Sequence, residues 1–293
     1  MTKIKLILTI TSVMLFSTGL NAQVFIEDFD SGIGAWTPGV ERNDHRRDAP
    51  NPPAYASGGA VLSSKSSCFS SPYNGVATTL TRTIALPPGA YSLSHLVSHS
   101  TELHGYCRGG TGGSSSVSVN GLLVTRVGCG RSRSCGVCRV PLSEQSGCFS
   151  VDETGEATIV LRTSGGDCAK VVGFFDNLVI FPADDCDGDG ISNECDPDDD
   201  NDGVPDEVDA CPCSNLSPTV VIDGCDSGVT NVLNENGCTI SDLLSEIGSS
   251  AKNHGQYVSK VSALLNVLKD AGIISGKDKG KIQSCAAKSS IGK

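Results

Sequence analysis

Two consecutive acidic loops share the same spacing of oxygen-bearing side chains. They constrain the fold of this chain more than any other feature of its sequence. The loops span residues 185–196 and 198–209, so their starts are 13 positions apart. In each loop, oxygen-bearing side chains stand at positions 1, 3, 5, 9 and 12, and position 6 is glycine (Gly190 or Gly203). Alternate carboxylates on a tightly turned backbone converge on one point, where calcium needs six to eight oxygens. The pattern predicts two calcium-binding loops.

The charge of this segment leads to the same expectation. Residues 184–209 contain 13 acidic side chains and no Lys or Arg. Carboxylates about 5 Å apart repel each other by roughly 0.8 kcal/mol per pair even in water, so the bare segment would extend. Because it has few apolar residues to bury, bound metal must supply its folding free energy. A disordered acidic linker is the alternative, but it does not explain two copies in phase.

The two loops differ from ordinary EF-hands. Both end in Asp instead of Glu, Pro197 directly follows the first loop, and 13 residues leave no room for flanking helices. Residues 184–213, with Cys195 and the closing Asp209-Ala210-Cys211-Pro212, resemble thrombospondin type 3 repeats instead. That resemblance implies a calcium-wrapped segment with little regular structure. Removing calcium is then expected to unfold 184–213 and to free the flanking domains from each other.

The same resemblance implies a set of calcium ligands in each loop. In the first loop they are Asp185, Asp187, Asp189, Asn193 and Asp196, with the backbone oxygen of Ile191. In the second they are Asp198, Asp200, Asp202, Asp206 and Asp209, with the backbone oxygen of Val204. Asn193 stands where the second loop has Asp206, so the first loop has one negative charge fewer and a lower expected affinity.

The N-terminus predicts export. Lys3 and Lys5 accompany an apolar run over 4–16, and Leu20-Asn21-Ala22 supplies a small-residue cleavage site. We predict a signal peptide over 1–22, cleaved after Ala22, and a secreted, extracellular protein. A membrane anchor is the alternative, but the run is well short of the roughly 20 residues that span a bilayer. No membrane span is expected in the rest of the chain.

Charge and cysteine content narrow the partners further. Outside 184–209, the chain after residue 22 carries 20 basic and 20 acidic side chains. The net charge therefore lies in one acidic stretch, which disfavours nucleic acid as a partner.

All 14 cysteines follow residue 22, and an exported chain favours disulfides over zinc sites or catalytic thiols. The C-x-x-C at Cys135 and Cys138 is interpreted as structural. Seven cysteines precede the acidic stretch, so either one disulfide crosses the boundary or two thiols stay free.

Residues 23–183 are predicted to form an all-β domain. Alternating apolar and polar residues indicate strands, and turn signals separate them. The strands are expected at 77–86, 91–99, 117–124, 156–161 and 171–181, with turns at Pro87-Pro88-Gly89 and Asn120-Gly121. Short strands without helical periodicity favour an antiparallel sandwich. The cysteine-rich stretch 129–148 is expected to be a loop held by disulfides.

Four short motifs in this region resemble, in their order, jelly-roll domains of the galactose-binding and carbohydrate-binding-module type. They are Phe29-Asp30-Ser31-Gly32 with Trp36, Pro88 to Leu93, Val117 to Gly121, and Phe175-Asp176-Asn177-Leu178. The resemblance implies a two-sheet sandwich for ligand binding or adhesion, often with a structural calcium between the first and last strands. The candidates for that additional site are Glu27, Asp28, Asp30 and Asp176. Solvated or turn-capping carboxylates explain these residues equally well.

Residues 214–293 are predicted to be a linker followed by a small helical module. Helices are expected from Ser241, over Tyr257 to Leu268 with an end at Gly272, and over 277–288. Fifty residues give a small core, so Cys238 and Cys285 are expected to staple it. Asn253 before His254 is interpreted as a helix N-cap and not as part of a site. The module resembles helical tails of exported microbial proteins, for which we know no activity.

The predicted fold is therefore mainly β, with an N-terminal antiparallel jelly-roll sandwich, a calcium-wrapped irregular segment and a small disulfide-stapled helical module. We expect a secreted, calcium-binding, non-catalytic protein whose sandwich binds an extracellular glycan or protein ligand or mediates adhesion. A purely structural surface, matrix or spacer protein is the first alternative. The second is a secreted hydrolase with a metal site in the sandwich.

Few residues support either a hydrolase or a glycan-stacking site. His95 and His99 share one strand face and, with His104, are the candidates for zinc, although a buried or surface pair is favoured. The sequence has no G-x-S-x-G, H-E-x-x-H or P-loop motif. Stacking on sugars requires exposed aromatic rings, and the loop candidates are Trp36, Tyr55, Tyr73 and Tyr106. Trp36 is assigned to the core instead.

Overall fold

The structure is a computed structural model that describes residues 25–29, 33–42, 54–55, 59–65, 76–103, 112–130, 136–166 and 169–293. The predicted signal peptide over 1–22 lies outside the described residues. So do Asp30 and His104, and the cysteines at 68, 107, 135 and 168.

The N-terminal part is built from two antiparallel sheets. One sheet has the order β3-β4-β11-β6-β9, with β1 also paired to β11, and the other has the order β2-β5-β10-β7-β8. The strands are β1 Phe25–Glu27, β2 Thr37–Arg42, β3 Ala54–Tyr55, β4 Ala60–Lys65, β5 Val76–Ala85, β6 Gly89–Leu103, β7 Gly113–Val119, β8 Leu122–Gly128, β9 Val137–Val151, β10 Glu156–Gly165 and β11 Ala169–Pro182. The predicted antiparallel sandwich is confirmed.

The alternation seen in the sequence directs one face of each strand into a shared core. Leu80 and Leu161 of the five-stranded sheet and Leu93, Phe175 and Ile180 of the six-stranded sheet are at most 1% exposed and belong to one cluster. Trp36 is also buried there, 3% exposed, as expected from the sequence.

The β7–β8 hairpin forms at the predicted dipeptide. Asn120 and Gly121 have φ of 49° and 82°, and two left-handed residues in a row define the tight turn that matches the twist of paired strands. Asn120 also accepts a hydrogen bond from the Thr158 amide of β10 at 2.8 Å, which ties the turn to the sheet.

The expected loop over 129–148 is wrong, because β9 occupies Val137–Val151. Proline is rare inside strands, but β9, which contains Pro141, pairs only with β6 and lies at the edge of its sheet. The pairing shifts register between Val97 and His99, opposite the proline. An edge strand with an irregularity tolerates proline, since no ladder hydrogen bond is lost there.

The C-terminal part begins with a hairpin that was not predicted from the sequence. Its strands are β12 Thr219–Ile222 and β13 Cys225–Thr230, and the turn between them is Asp223-Gly224, both with positive φ. An Asp-Gly pair after an apolar run is a recognised hairpin signal, so this element was predictable.

Three helices follow, as predicted: α1 Ile240–Ser250, α2 His254–Asp270 and α3 Gly276–Lys288. The α2 stripe of Tyr257, Val261 and Leu265, each at most 1% exposed, packs with Val220 and Ile282 into a second core. Asn253 caps α2, since its side chain accepts a hydrogen bond from the Gln256 amide at 2.9 Å. The predicted N-cap is confirmed.

Five disulfides join described cysteines: Cys129–Cys138, Cys148–Cys195, Cys186–Cys213, Cys211–Cys238 and Cys225–Cys285. Cys148–Cys195 crosses from the sandwich into the acidic segment, which resolves the odd cysteine count of the two halves in favour of a crossing bond. Cys238 and Cys285 are not bonded to each other. Each one joins the helical part to an earlier segment.

Candidate metal centre

The acidic segment lies between β11, which ends at Pro182, and β12, which begins at Thr219, and it has no regular secondary structure. Side chains shape the first loop by accepting hydrogen bonds from its backbone. Asp185 accepts from the amides of Gly188 at 2.9 Å and Gly190 at 3.1 Å. Asp187 accepts from its second neighbour, Asp189, at 3.0 Å. These contacts curl the backbone around the carboxylates.

The second loop repeats these contacts 13 residues later. Asp198 accepts from the Gly203 amide at 3.2 Å, Asp200 from Asp202 at 3.1 Å, and Asp202 from Val204 at 2.7 Å. The last contact matches the bond of Ile191 to Asp189, also 2.7 Å long. Repetition of side-chain contacts shows that the sequence repeat is a repeat of three-dimensional structure.

Each loop gathers three carboxylates around one point. Their oxygens lie within 4.8 Å of one another, in the groups Asp185, Asp187, Asp189 and Asp198, Asp200, Asp202. A group of this kind has the donor atoms that a hard cation requires, and both groups could hold a metal ion. The second group is more buried, with Asp200 only 3% exposed, whereas Asp187 and Asp189 of the first group are exposed.

Three carboxylate oxygens of the second loop are buried without a hydrogen-bond partner. Asp198 Oδ1, Asp199 Oδ1 and Asp202 Oδ2 are shielded from solvent and accept no hydrogen bond. Among the described residues, no Lys, Arg or His forms an ion pair with a side chain of 184–209. Isolated carboxylates are costly to bury, so a compensating positive charge is required.

Burial and neighbouring charges raise the pKa of two carboxyl groups in the second loop. Burial raises the pKa of Asp199 to about 6, and the nearby Asp206 carboxylate adds to this effect. Burial also raises the pKa of Asp202, and the charges of Asp200 and Asp209 contribute. A loop whose carboxylates resist ionisation in this way is an arrangement that a divalent ion would stabilise.

Residues at position 9 have a structural contact in both loops. Asn193 Oδ1 accepts from the Cys186 amide and Asp206 Oδ1 from the Asp199 amide, both at 3.0 Å. The Asn193 amide nitrogen lies 2.9 Å from the sulfur of Cys186. The two groups of three carboxylates do not include the residues at position 9 (Asn193 and Asp206) or at position 12 (Asp196 and Asp209). These four ligands and the carbonyls of Ile191 and Val204 stay predictions.

Covalent bonds fix both ends of the acidic segment. Cys148–Cys195 joins β9 to the first loop, and Glu194 beside it accepts a hydrogen bond from Ser92 of β6 at 2.8 Å. At the other end, Cys211–Cys238 joins the end of the second loop to the C-terminal part. The loops therefore form a connector that is attached on both sides.

The candidate calcium site at the start of the sandwich has a different arrangement. Glu27 Oε2 accepts from Trp36 Nε1 at 3.0 Å and from Arg82 Nη1 at 2.5 Å. Arg82 therefore supplies the positive charge beside Glu27. Asp176 accepts from the Asn177 amide at 2.8 Å, and Asp28 is exposed. Within the described residues, Glu27, Asp28 and Asp176 do not converge as a group of three ligands.

The histidine pair lies inside the sandwich and not at its surface. His95 and His99 are each 2% exposed. His99 hydrogen bonds through both ring nitrogens, to Ser115 at 2.9 Å and Thr101 at 2.7 Å. His95 Nε2 bonds to Thr125 at 2.6 Å. Burial lowers the pKa of both imidazoles to about 4. The pair is part of a buried network of hydroxyl groups.

Two other features bear on ligand binding. Trp36 is buried and does not offer an exposed ring for stacking on a sugar. The side chains of Tyr55, Tyr73 and Tyr106 lie outside the described part of the chain. Among the helices described, none combines the length and the apolar character needed to cross a bilayer.

Comparison with known proteins gives weak similarities only. No protein-family model matches the chain, and no curated protein matches it. Solved structures that resemble the sandwich include the galactotriose complex of TmCBM61 (16% identity, TM-score 0.28, covering 53% of this chain and 94% of that one). A CBM22-1 xylan-binding domain of Paenibacillus barcinonensis Xyn10C matches at 14% identity and TM-score 0.28, covering 55% and 95%.

An adhesin domain, K3 of Lys-gingipain from Porphyromonas gingivalis, matches at 16% identity and TM-score 0.32, covering 53% of this chain and 97% of that one. Carbohydrate-binding modules are thus among the structural neighbours, as the sequence motifs implied. At these scores the similarity says nothing about the ligand of this chain.

Proposed function

We propose that this chain is an exported, non-catalytic protein in which two calcium ions order the acidic segment into a stiff connector. The connector joins a sandwich that binds an extracellular ligand to a small helical module. The observation that carries the proposal is the repeated cage, with three converging carboxylates and the same backbone contacts in both copies. Calcium suits these sites because it prefers carboxylate oxygens and tolerates irregular geometry.

The residues of each loop have distinct roles in this proposal. Carboxylates at positions 1, 3 and 5 bind the ion, while the glycine at position 6, with φ of 92° in Gly190 and 94° in Gly203, makes the turn. The bound ion neutralises the mutual repulsion of the carboxylates and balances their buried charge. The disulfides on either side hold the ordered loops against their neighbours.

The outer face of the five-stranded sheet supports a recognition role for the sandwich. The register aligns Arg162 of β10, Ser116 of β7 and Arg126 of β8 in one row across three strands. Thr81, Thr83, Thr158 and Ser118 lie in the neighbouring rows of this outer face. A face of hydroxyl and guanidinium groups suits a polar ligand such as a glycan or a polar protein surface.

Calorimetric titration of the purified chain with calcium tests the metal sites. We expect two bound ions, and we expect Asp189→Asn and Asp202→Asn each to weaken one of them by tenfold or more. Glu207→Gln is the matched control, because it removes one exposed charge from the second loop at a position outside the predicted ligands. Absence of any calcium heat, or equal effects of all three variants, would contradict the proposal.

The recognition role requires a separate measurement. The full chain, loaded with calcium, is screened against an array of neutral and charged glycans and against extracellular matrix proteins. Binding that Arg126→Ala weakens would support recognition through the outer face. A chain that binds calcium but none of these ligands would instead favour the purely structural spacer.

A further inference from the structure

A cleft of about 560 Å³ lies between the two acidic loops and the segment that follows them. Cys186 and Asp187 of the first loop, Asp200 and Asn201 of the second, and residues 214–217 line it. Its volume is within the range of sites that hold small organic molecules. The lining of the cleft includes no residue of the outer sheet face, but it includes one carboxylate from each cage, Asp187 and Asp200.

The walls of this cleft are held in place by contacts between separate segments. Asn201 of the second loop donates a hydrogen bond to the Asp187 carboxylate of the first. Asp200 accepts from the Ser214 amide at 2.6 Å, and Cys186 is bonded to Cys213 directly before that wall. A site whose walls are already fixed loses little conformational entropy when it binds a ligand.

The groups in the walls are suited to hydroxyl groups. Asp187 offers an exposed carboxylate acceptor, Asn201 and Asn215 carry exposed amides, and Ser217 carries an exposed hydroxyl. A ligand hydroxyl donates one hydrogen bond and accepts others, so it pairs with carboxylates and amides together.

The charge of the cleft selects the ligand class. None of the described residues that line it is Lys, Arg or His, so phosphate, sulfate and carboxylate groups would meet only negative charge from them. Calcium in the two loops would neutralise Asp187 and Asp200, which removes the attraction for an organic cation. Leu216, 46% exposed at the rim, supplies apolar surface for the carbon skeleton of a ligand. These features together favour an uncharged molecule with several hydroxyls.

We propose that this cleft binds a neutral sugar through its hydroxyl groups. The inference rests on the proposed function, because calcium orders the two loops that form the walls. It assigns the sugar to the connector, separately from any ligand of the sandwich.

Nuclear magnetic resonance of the ¹⁵N-labelled full chain tests the cleft, with methyl glucoside, methyl mannoside and cellobiose as probes. With calcium present, we expect one of these sugars to shift the amide signals of Asn201, Ser214 and Ser217. Leu216→Ala and Ser217→Ala should each weaken that binding about tenfold. Leu233→Ala, an exposed leucine outside the cleft (37% against 46%), is the control and should leave it unchanged.

Two outcomes separate the failure of this inference from the failure of the calcium proposal. If calorimetry shows two calcium ions but no sugar shifts these amides, or the shifts lie only in the sandwich, the cleft proposal is overturned while the calcium sites stand. If the sugar shifts the same amides in EGTA as in calcium, the cleft binds sugar and its dependence on calcium is wrong.

Discussion

Cys148 in the edge strand β9 is bonded to Cys195 in the first acidic loop, with Cα atoms 6.2 Å apart. The neighbouring residue Glu194 accepts a hydrogen bond from Ser92. A residue of the first loop also approaches the sandwich, since a Cβ on Gly190 would lie 3.6 Å from Ser150. The first loop is therefore seated on the sandwich.

Breaking this bond should destabilise the chain. The double variant Cys148→Ser, Cys195→Ser opens a loop of 47 residues, which the chain-entropy model relates to about 4 kcal/mol of unfolding free energy. We expect a lower urea midpoint and a weaker calcium affinity of the first loop, with the second loop little affected. Cys129→Ser, Cys138→Ser is the control, because that bond closes only nine residues within the sandwich. Equal losses of calcium affinity in both double variants would contradict the conclusion that the first acidic loop is held against the sandwich by Cys148–Cys195.

Calcium removal should loosen the loops without separating the flanking parts. The sequence alone suggested that the flanking domains would come free, but the disulfides at Cys195 and Cys211 hold both sides of the segment. In EGTA, we expect faster hydrogen exchange at the Gly190, Ile191, Gly203 and Val204 amides, whose carboxylate acceptors repel each other without the ion. Amides of β10 serve as the internal reference. Protection that is the same with and without calcium would count against an ion in the loops.

Acid should destabilise the sandwich through its two buried histidines. The folded-state pKa of His95 and His99 is lowered to about 4, so the unfolded chain binds protons near pH 6.5 and the folded chain does not. Their contribution to stability is complete above pH 6.5 and is lost as the pH falls towards 4, by up to about 3 kcal/mol per histidine.

Urea unfolding followed by the fluorescence of the single tryptophan, Trp36, measures this dependence in the sandwich. The double variant His95→Gln, His99→Gln should flatten the pH dependence between 6.5 and 4. His254→Gln, in the helical part, should leave it in place. A wild-type midpoint that does not change between pH 6.5 and 4.5 would refute the prediction.

Truncating the helical core should leave the sandwich folded. Leu265 of α2 is fully buried, so Leu265→Ala should lower the unfolding free energy of the helical part by about 3 kcal/mol. Val267 on the same helix is 65% exposed, and Val267→Ala should change it by less than about 0.5 kcal/mol. Helix circular dichroism should report the loss, while Trp36 fluorescence reports an unchanged sandwich. A joint transition of both signals in Leu265→Ala would show that the two cores unfold together.

Local patterns in the sequence were sufficient for most elements. Period-two alternation predicted β5, β6, β10 and β11, and the stripe from Tyr257 to Leu268 predicted α2, because burial of one face depends on neighbours a few residues away. The carboxylate repeat was equally predictable, since the hydrogen bonds within each loop join residues at most seven positions apart. Prediction failed for β9, where the cysteine-rich stretch was interpreted as a loop, because its strand forms by pairing with β6, which is distant in the sequence.

The sequence by itself determined the two acidic cages, the alternating strands and the capped helices, because each depends on contacts between near neighbours in the chain. Only the tertiary structure decided which cysteines meet, that Arg82 forms an ion pair with Glu27, and that His95 and His99 point into the sandwich. Those relationships join residues that are far apart in sequence, such as the 55 positions between Glu27 and Arg82. They follow from how two sheets pack face to face, which no local spacing records.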